Sequence, residues 1–168
     1  MTIVKKSIPK LGSGAPAPKD PNVIFIDVDD ILSFPSRDSG GVQSSTNLTL
    51  KEGAKAFGIY LTPSTIDRSD KSEGDPDAER FKHNVSGEHP GDDLPFSEFI
   101  QYAIGKNWVI ITKGCGTVAD TRLHGLTCDP MKISFEATDN KDALKGKLTC
   151  AQVVGSQYKS MHYIGTIP

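Results

Sequence analysis

The chain has 168 residues, of which 36% are hydrophobic and 24% are charged, and its formal net charge is −2. This length is enough for one domain with a buried core. The small net charge excludes an overall basic field that would hold the protein on nucleic acid or an anionic membrane. The three cysteines are an odd number without a Cys-x-x-Cys pair, which favours reduced, cytoplasmic assembly over an oxidised, secreted scaffold.

Residues 1–21 have the composition of an extended N-terminal arm. They contain four prolines, which prevent regular strand pairing, and four lysines against one aspartate. They contain no apolar stretch of signal-peptide length, and no segment of the chain approaches the roughly 20 apolar residues that a membrane helix needs. We expect the apolar side chains of Ile3, Val4, Ile8 and Leu11 to anchor this arm on a neighbouring subunit. Packing of the arm back onto its own domain is the alternative.

The first half of the remaining chain predicts strands and polar connections. Residues 23–28 (VIFIDV) and 54–62 (AKAFGIYLT) are rich in β-branched and aromatic side chains, which is typical of strands. Residues 42–50 are rich in Ser and Thr and are predicted to be extended. Residues 65–93 are highly polar and contain several Gly and Pro residues. They predict a long polar loop or a hairpin, with a strand candidate at residues 80–85.

The second half predicts one helix followed by strands. Within residues 95–104 the apolar side chains of Phe96, Phe99, Ile100 and Ala103 recur at helical spacing, with a proline at the start and a glycine after the end. Strands are predicted at residues 107–112, 121–123, 131–137 and 147–154. We therefore expect residues 22–168 to form a single, mainly β domain, an antiparallel β-barrel or sandwich with one short α-helix.

One pair of carboxylates suggests an enzyme. Asp27 and Asp29 end a hydrophobic strand in a pattern that resembles the first motif of haloacid-dehalogenase-like phosphatases, in which the two carboxylates lie beside Mg²⁺. Thr112, at the end of residues 109–112, fits the second motif of that family. However, Ile31 replaces the usual Thr or Val, the Gly-Asp-x-x-x-Asp motif is missing, and the crossover helices of a parallel sheet are not predicted. A phosphatase is therefore an alternative hypothesis.

Other catalytic and metal-binding patterns are incomplete. Cys115, His124 and Cys128 lack the paired spacing of a structural zinc site. Asp75 and Asp77 belong to an acidic stretch without the spacing of a calcium loop, which is typical of a solvated loop. The sequence contains no phosphate-binding loop and no Gly-x-Ser-x-Gly motif. We therefore expect no enzymatic activity, no cofactor and no metal.

The order of these elements resembles that of bacteriophage tail tube proteins and the related tube proteins of contractile injection systems. An extended arm, β-structure, a long charged loop, one short helix and a final run of strands occur in that order. The phrases at residues 61–65 (LTPST), 74–77 (GDPD) and 88–91 (EHPG) are similar to those of structural proteins from Bacteroidetes phages. The resemblance covers nearly the whole chain.

The resemblance implies a virion structural protein that is assembled in the host bacterial cytoplasm. Its subunits would form stacked, hexameric rings around a channel through which DNA passes without specific binding, with other phage tail proteins as partners. The arm and the loop at residues 65–93 would then contact neighbouring subunits, with Asp75 and Asp77 in the loop. A capsid decoration protein, a head-tail adaptor and a tail completion protein are the alternatives within the virion.

Overall fold

The computed structural model describes residues 5–168, apart from the side chains of residues 117–119. In this part of the chain eleven strands and one α-helix occur, and every ladder between two strands is antiparallel. The predicted fold class, mainly β with one short helix, is confirmed. The elements are β1 Asn22–Asp27, β2 Ile31–Ser33, β3 Thr49–Leu50, β4 Phe57–Tyr60, β5 Asp67–Glu73, β6 Arg80–Pro90, α1 Leu94–Ala103, β7 Trp108–Gly114, β8 Thr117–His124, β9 Met131–Asp139, β10 Leu144–Gln152 and β11 Met161–His162.

Strands β1 and β7 form the centre of the larger sheet. β1 pairs with β4 on one side and with β7 on the other, where Ile24 lies opposite Ile111. β7 pairs with β8 and, at Trp108, with β9, from which the sheet continues through β10 and β6 to β5. Side chains on both faces of β1 and β7 are buried. This two-sided burial explains why their sequences are continuous apolar runs rather than alternating ones.

Two hydrophobic clusters lie on opposite sides of these central strands. The cluster on the helix side includes Phe25, Trp108, Ile110, Met131 and Leu148, together with the buried face of α1. The cluster on the other side includes Ile24, Ile26, Val109, Ile111, Leu123, Met161 and Tyr163. Alternate residues of β1 and β7 therefore contribute to different clusters, as the side-chain period of a strand requires.

Helix α1 confirms the predicted helix at residues 95–104, with its first residue one position earlier. Pro95 lies in the first turn, and Gly105 follows the helix with a φ of +83°, a conformation that glycine adopts without a steric penalty. The four residues of the predicted apolar stripe are buried: Phe96, Phe99, Ile100 and Ala103. No helix in the described residues is both long and apolar enough to cross a membrane.

The polar stretch at residues 65–93 forms a long β-hairpin rather than a loop. Residues 67–73 of β5 pair with residues 80–86 of β6, and the six residues 74–79 form the hairpin tip. β6 also pairs with β10, so it is an interior strand with buried His83 and Val85. β5 is the last strand of the sheet, and its side chains are polar. Because an edge strand of this kind has no apolar face, its sequence lacks the apolar alternation by which strands are predicted.

The curled sheet does not close into a barrel. Arg68 on β5 donates hydrogen bonds to the Thr112 side chain on β7 and to Asp120 on β8. No strand ladder joins β5 to β8 among the described residues. Side-chain contacts thus connect the outer strand to β7 and β8, and the architecture is sandwich-like.

Candidate functional site

The N-terminal arm is exposed to solvent along residues 5–18. The side chains of Ile8 and Leu11 are 90% and 91% exposed. The described part of the arm therefore has no side chain buried against its own domain. Ile3 and Val4, the other two predicted anchors, lie outside the described residues.

The arm is attached to the domain at residues 18–21. The backbone N–H of Cys115 donates to Pro18 O at 3.0 Å, that of Asp20 donates to Lys113 O at 3.0 Å, and that of Leu61 donates to Pro21 O at 2.8 Å. The predicted arm of residues 1–21 thus includes three residues that form hydrogen bonds with the domain, and its free part ends at residue 17.

Asp75 and Asp77 lie at the exposed tip of the β5–β6 hairpin. The backbone N–H of Ala78 donates to Asp75 O at 2.9 Å, and Asp77 has a φ of +68°, a conformation that aspartate tolerates in turns. Both side chains are exposed. The structure therefore exposes both predicted contact regions in the described residues.

The carboxylates of the phosphatase hypothesis lie at the end of β1. Asp27 Oδ1 accepts a hydrogen bond from the backbone N–H of Asp29 at 3.0 Å, and its Oδ2 accepts one from the Tyr102 hydroxyl at 3.0 Å. Asp27 lies opposite Trp108 in the antiparallel pair of β1 and β7. Thr112 is four residues further along β7, about 14 Å away. The antiparallel pairing thus separates Asp27 and Asp29 from Thr112.

A cluster of polar and charged side chains lies where β5, β6 and β8 approach one another. We call it the polar cluster. Its members are Arg68 and Asp70 on β5, His83 on β6, Thr112 on β7, Asp120, Arg122 and His124 on β8, and Ser160 just before β11. Residues two apart on a strand share a face, so Arg68 with Asp70, and Asp120 with Arg122 and His124, project from the same faces of β5 and β8.

His83 is held in one neutral tautomer by two backbone groups. The Gly125 N–H donates to its Nδ1 at 2.9 Å, and its Nε2 lies 2.9 Å from Tyr158 O. Because an N–H group can only donate and a carbonyl can only accept, the ring hydrogen must be on Nε2. Burial lowers the pKa of His83 from its usual value.

His124 is buried, with 1% of its surface exposed. Its Nε2 lies 3.0 Å from Thr112 Oγ1, which in turn accepts a hydrogen bond from Arg68 Nη1 at 3.1 Å. Burial, and next the neighbouring His83, hold the pKa of His124 well below its usual value. The ring is therefore neutral at pH 7.

Two cavities adjoin the polar cluster. A small one of about 140 Å³ is lined by Arg68, Ser69, Asp70, Arg122, His124 and Ser160. A larger, open one of about 450 Å³ lies beside Arg37, whose guanidinium carbon is 4.6 Å from the centroid of the Tyr158 ring. Cys128 lines the larger cavity, whereas Cys115 is not among its lining residues. No group of three or more His, Cys, Asp or Glu side chains suited to a metal ion occurs among the described residues.

The polar cluster was not predicted from the sequence. A signal was present, because the polar side chains of Asp120, Arg122 and His124 occupy alternate positions. This alternation indicates a strand with one polar face. It does not indicate that the face is covered, because β5 lies about fifty residues earlier in the chain and is itself polar.

Comparison of the chain with models of protein families, with characterised proteins and with solved structures found no match.

Proposed function

We propose that this protein is a structural subunit that assembles with copies of itself, as the subunits of a phage tail tube do. The observation that carries the proposal is the free arm of residues 5–17, in which no side chain is buried on the domain. An arm of 13 residues can span up to about 45 Å when extended. This is far enough to reach an adjacent copy.

Burial of the arm on a second copy would be favourable. Ile8 and Leu11 are almost fully exposed, and full burial of a side chain of this size contributes about 1.5–3 kcal/mol. The flanking Lys5, Lys6 and Lys10 suit a partner surface with acidic side chains, and opposite charges increase the rate and specificity of association. Asp75 and Asp77, at the hairpin tip, are the acidic contacts that we propose on the neighbouring subunit.

The ring and tube geometry rests on the resemblance in element order. In such an assembly the arm reaches an adjacent ring, and hexameric rings stack around a channel for DNA. The long hairpin provides a second protruding element, and edge strands such as β5 offer unpaired backbone groups to a neighbouring copy. Other phage tail proteins would bind at the ends of the tube.

Negative-stain electron microscopy of the full chain, combined with its light-scattering mass, tests this proposal. We expect rings or hollow tubes of regular diameter. In the double variant Ile8→Ser/Leu11→Ser, loss of the apolar anchors should abolish stacking while the domain stays folded. Leu32→Ser is the matched control, because Leu32 is 68% exposed on the domain itself; it should assemble normally.

Two results would contradict the proposal. A monomeric mass for the native chain at all concentrations would exclude self-assembly. Normal stacking of the double variant would exclude the arm as the connection between copies. Regular assemblies without a channel would instead favour a decoration or adaptor role in the virion.

A further inference from the structure

Two exposed aromatic side chains lie side by side where β4 begins and helix α1 ends. The centroids of the Phe57 and Tyr102 rings are 5.8 Å apart, and the two residues are 37% and 44% exposed. We call this pair the aromatic patch. Aromatic side chains are enriched at contacts between proteins, because they bury a large apolar area and lose little conformational entropy. The aromatic patch is therefore a candidate interaction surface.

Neighbouring side chains hold the aromatic patch in place. The Phe57 ring contacts the buried rings of Phe99 and Trp108, with centroid distances of 5.4 Å and 5.8 Å. The Tyr102 hydroxyl donates a hydrogen bond to Asp27 Oδ2 at 3.0 Å. Both rings are thus oriented before a partner binds, which lowers the entropy cost of binding.

Carboxylates lie beside the Tyr102 end of the aromatic patch. Asp29 and Asp30 follow Asp27 in the short 3₁₀ turn after β1, and Asp29 is exposed. The hydrogen bond to Asp27, then burial, and then the charges of these three carboxylates raise the pKa of Tyr102. The phenol therefore lies in a negative field, which favours a partner with positive charge.

Two lysines also reach this region and leave the acidic turn unpaired. Lys106 Nζ lies 5.0 Å from the centroid of the Tyr102 ring, and Lys51 Nζ donates to the backbone carbonyl of Asp29 at 2.6 Å. Neither lysine forms a salt bridge with Asp29 or Asp30 in the described part of the chain. The exposed carboxylate of Asp29 thus remains available to a cation of a partner.

The free arm has the chemistry that this surface would bind. Ile8 and Leu11 are almost fully exposed, and Pro9 and Lys10 lie between them. Proline favours the polyproline II conformation for itself and for the residue before it. In that conformation side chains three positions apart lie on one side, about 9 Å from each other. Grooves lined by aromatic rings are the usual recognition surface for such segments.

We propose that the aromatic patch of one copy binds residues 8–11 of the arm of a second copy. Ile8 and Leu11 pack on the two rings, and Lys10 lies beside the carboxylate of Asp29. This inference rests on the self-assembly proposed above, and it adds the surface of the neighbouring copy on which the apolar part of the arm is buried.

The hairpin tip cannot bury the apolar part of the arm. Residues 74–79 contain no apolar side chain larger than that of proline. The carboxylates of Asp75 and Asp77 can attract Lys5 and Lys6, which precede the apolar segment. The hairpin tip and the aromatic patch thus bind different parts of the arm.

Photo-crosslinking between two populations of the full chain, mixed before assembly, tests the contact. One population carries benzoylphenylalanine in place of Leu11, and the other is the native chain with an isotope label. We expect mass spectrometry to find cross-links from the introduced group to labelled peptides that contain Phe57 or Tyr102.

Three results would overturn the inference, and they separate it from the proposed function. Cross-links between copies that map only to other surfaces would exclude the aromatic patch and leave self-assembly standing. Regular assemblies in the electron microscope without any cross-link to labelled copies would exclude the arm as their connection. A monomeric mixture without such cross-links would overturn self-assembly and this inference together.

An exchange of charges tests the assigned ion pair. Lys10→Glu and Asp29→Lys should each raise the protein concentration needed for assembly at low salt about threefold, because each places like charges opposite one another. The double variant Lys10→Glu/Asp29→Lys should return this concentration to within about twofold of the native value. Asp139→Lys, at an exposed position on β9, is the control and should assemble as the native chain does. A double variant no better than the single variants would overturn the pairing of Lys10 with Asp29.

Discussion

At the scale of single residues, His83 links the hairpin to the rest of the domain through its uncharged form. Both ring nitrogens are bonded to backbone groups that fix their roles, with Gly125 N–H on one side and Tyr158 O on the other. Protonation of His83 Nδ1 would place its new hydrogen against the hydrogen of the Gly125 N–H. Asp70 and Asp129 partly favour the charged ring, and Arg37 opposes it, but desolvation is the largest effect.

This geometry predicts that acid destabilises the fold. The pKa of His83 is lower in the folded protein than its usual value of 6.5. The unfolded chain therefore binds a proton first as the pH falls below about 6.5, and stability decreases until the lower folded pKa is reached. His124 and His162 shift in the same direction. Urea unfolding at pH 7.5 and at pH 5 measures the total loss of unfolding free energy that these histidines cause.

The variant His83→Gln isolates the contribution of His83. A glutamine can accept from Gly125 N–H with its carbonyl and donate to Tyr158 O with its amide, but it does not titrate. We expect its free energy of unfolding to fall less between pH 7.5 and pH 5 than that of the native chain. An equal fall in both proteins would mean that His83 is not a source of the acid sensitivity.

At the scale of elements, helix α1 packs against β10 at a position where only glycine fits. Gly146 is buried, and a Cβ atom there would lie 2.7 Å from Phe135 Cε2 and 2.8 Å from Phe96 Cε1. Both atoms belong to aromatic rings, which cannot move without disturbing their neighbours. The His89 ring also stacks on Phe96, with 4.0 Å between ring centroids. The close approach of the helix to the sheet therefore depends on Gly146.

Overpacking at this contact should destabilise the domain. Gly146→Val should lower the free energy of unfolding by about 1–3 kcal/mol, the usual cost of extra methyl groups in a packed core. Gly12→Ala is the control, because no atom lies within 4 Å of a Cβ built at Gly12. Urea unfolding monitored by circular dichroism measures both. Identical urea midpoints of unfolding for Gly146→Val and Gly12→Ala would contradict the tight contact between the helix and the sheet.

At the scale of the whole molecule, the free arm and the domain should be energetically separate in a monomer. Residues 5–17 contribute no buried side chain to the domain, while residues 18–21 bond to Leu61, Lys113 and Cys115. Deletion of residues 1–17 should therefore leave the melting temperature of the monomer unchanged and abolish the assembly that we propose. Differential scanning calorimetry and electron microscopy of the truncated chain measure the two effects.

The effect of the deletion on stability should depend on whether it ends at residue 17 or at residue 21. Deletion of residues 1–21 would also remove the carbonyls of Pro18 and Pro21 and the N–H of Asp20, which form backbone hydrogen bonds to the domain. We expect that longer deletion to lower the melting temperature. A truncation at residue 17 that already unfolds the domain would show that the arm is part of the fold.

The sequence by itself determined the elements whose burial leaves a local pattern. The continuous apolar runs of β1 and β7 and the stripe of α1 were predicted from residue type and spacing, and the structure confirms them. The predicted strands of β8 and β9 were confirmed with longer bounds, whereas β10 begins three residues earlier and ends two residues earlier than predicted. Periodicity succeeds for these elements because each has a face buried in one of the two hydrophobic clusters.

The tertiary structure alone decided the rest. The edge strand β5 carries no apolar period because most of its side chains face water, so the sequence left a loop and a hairpin open and the pairing with β6 decided for the hairpin. The polar cluster joins side chains from residue 68 to residue 160, and no local pattern reports which polar faces meet. Its chemistry arises from strand pairing, since the order of strands in the sheet brings β5 and β8 together although they are far apart in the chain.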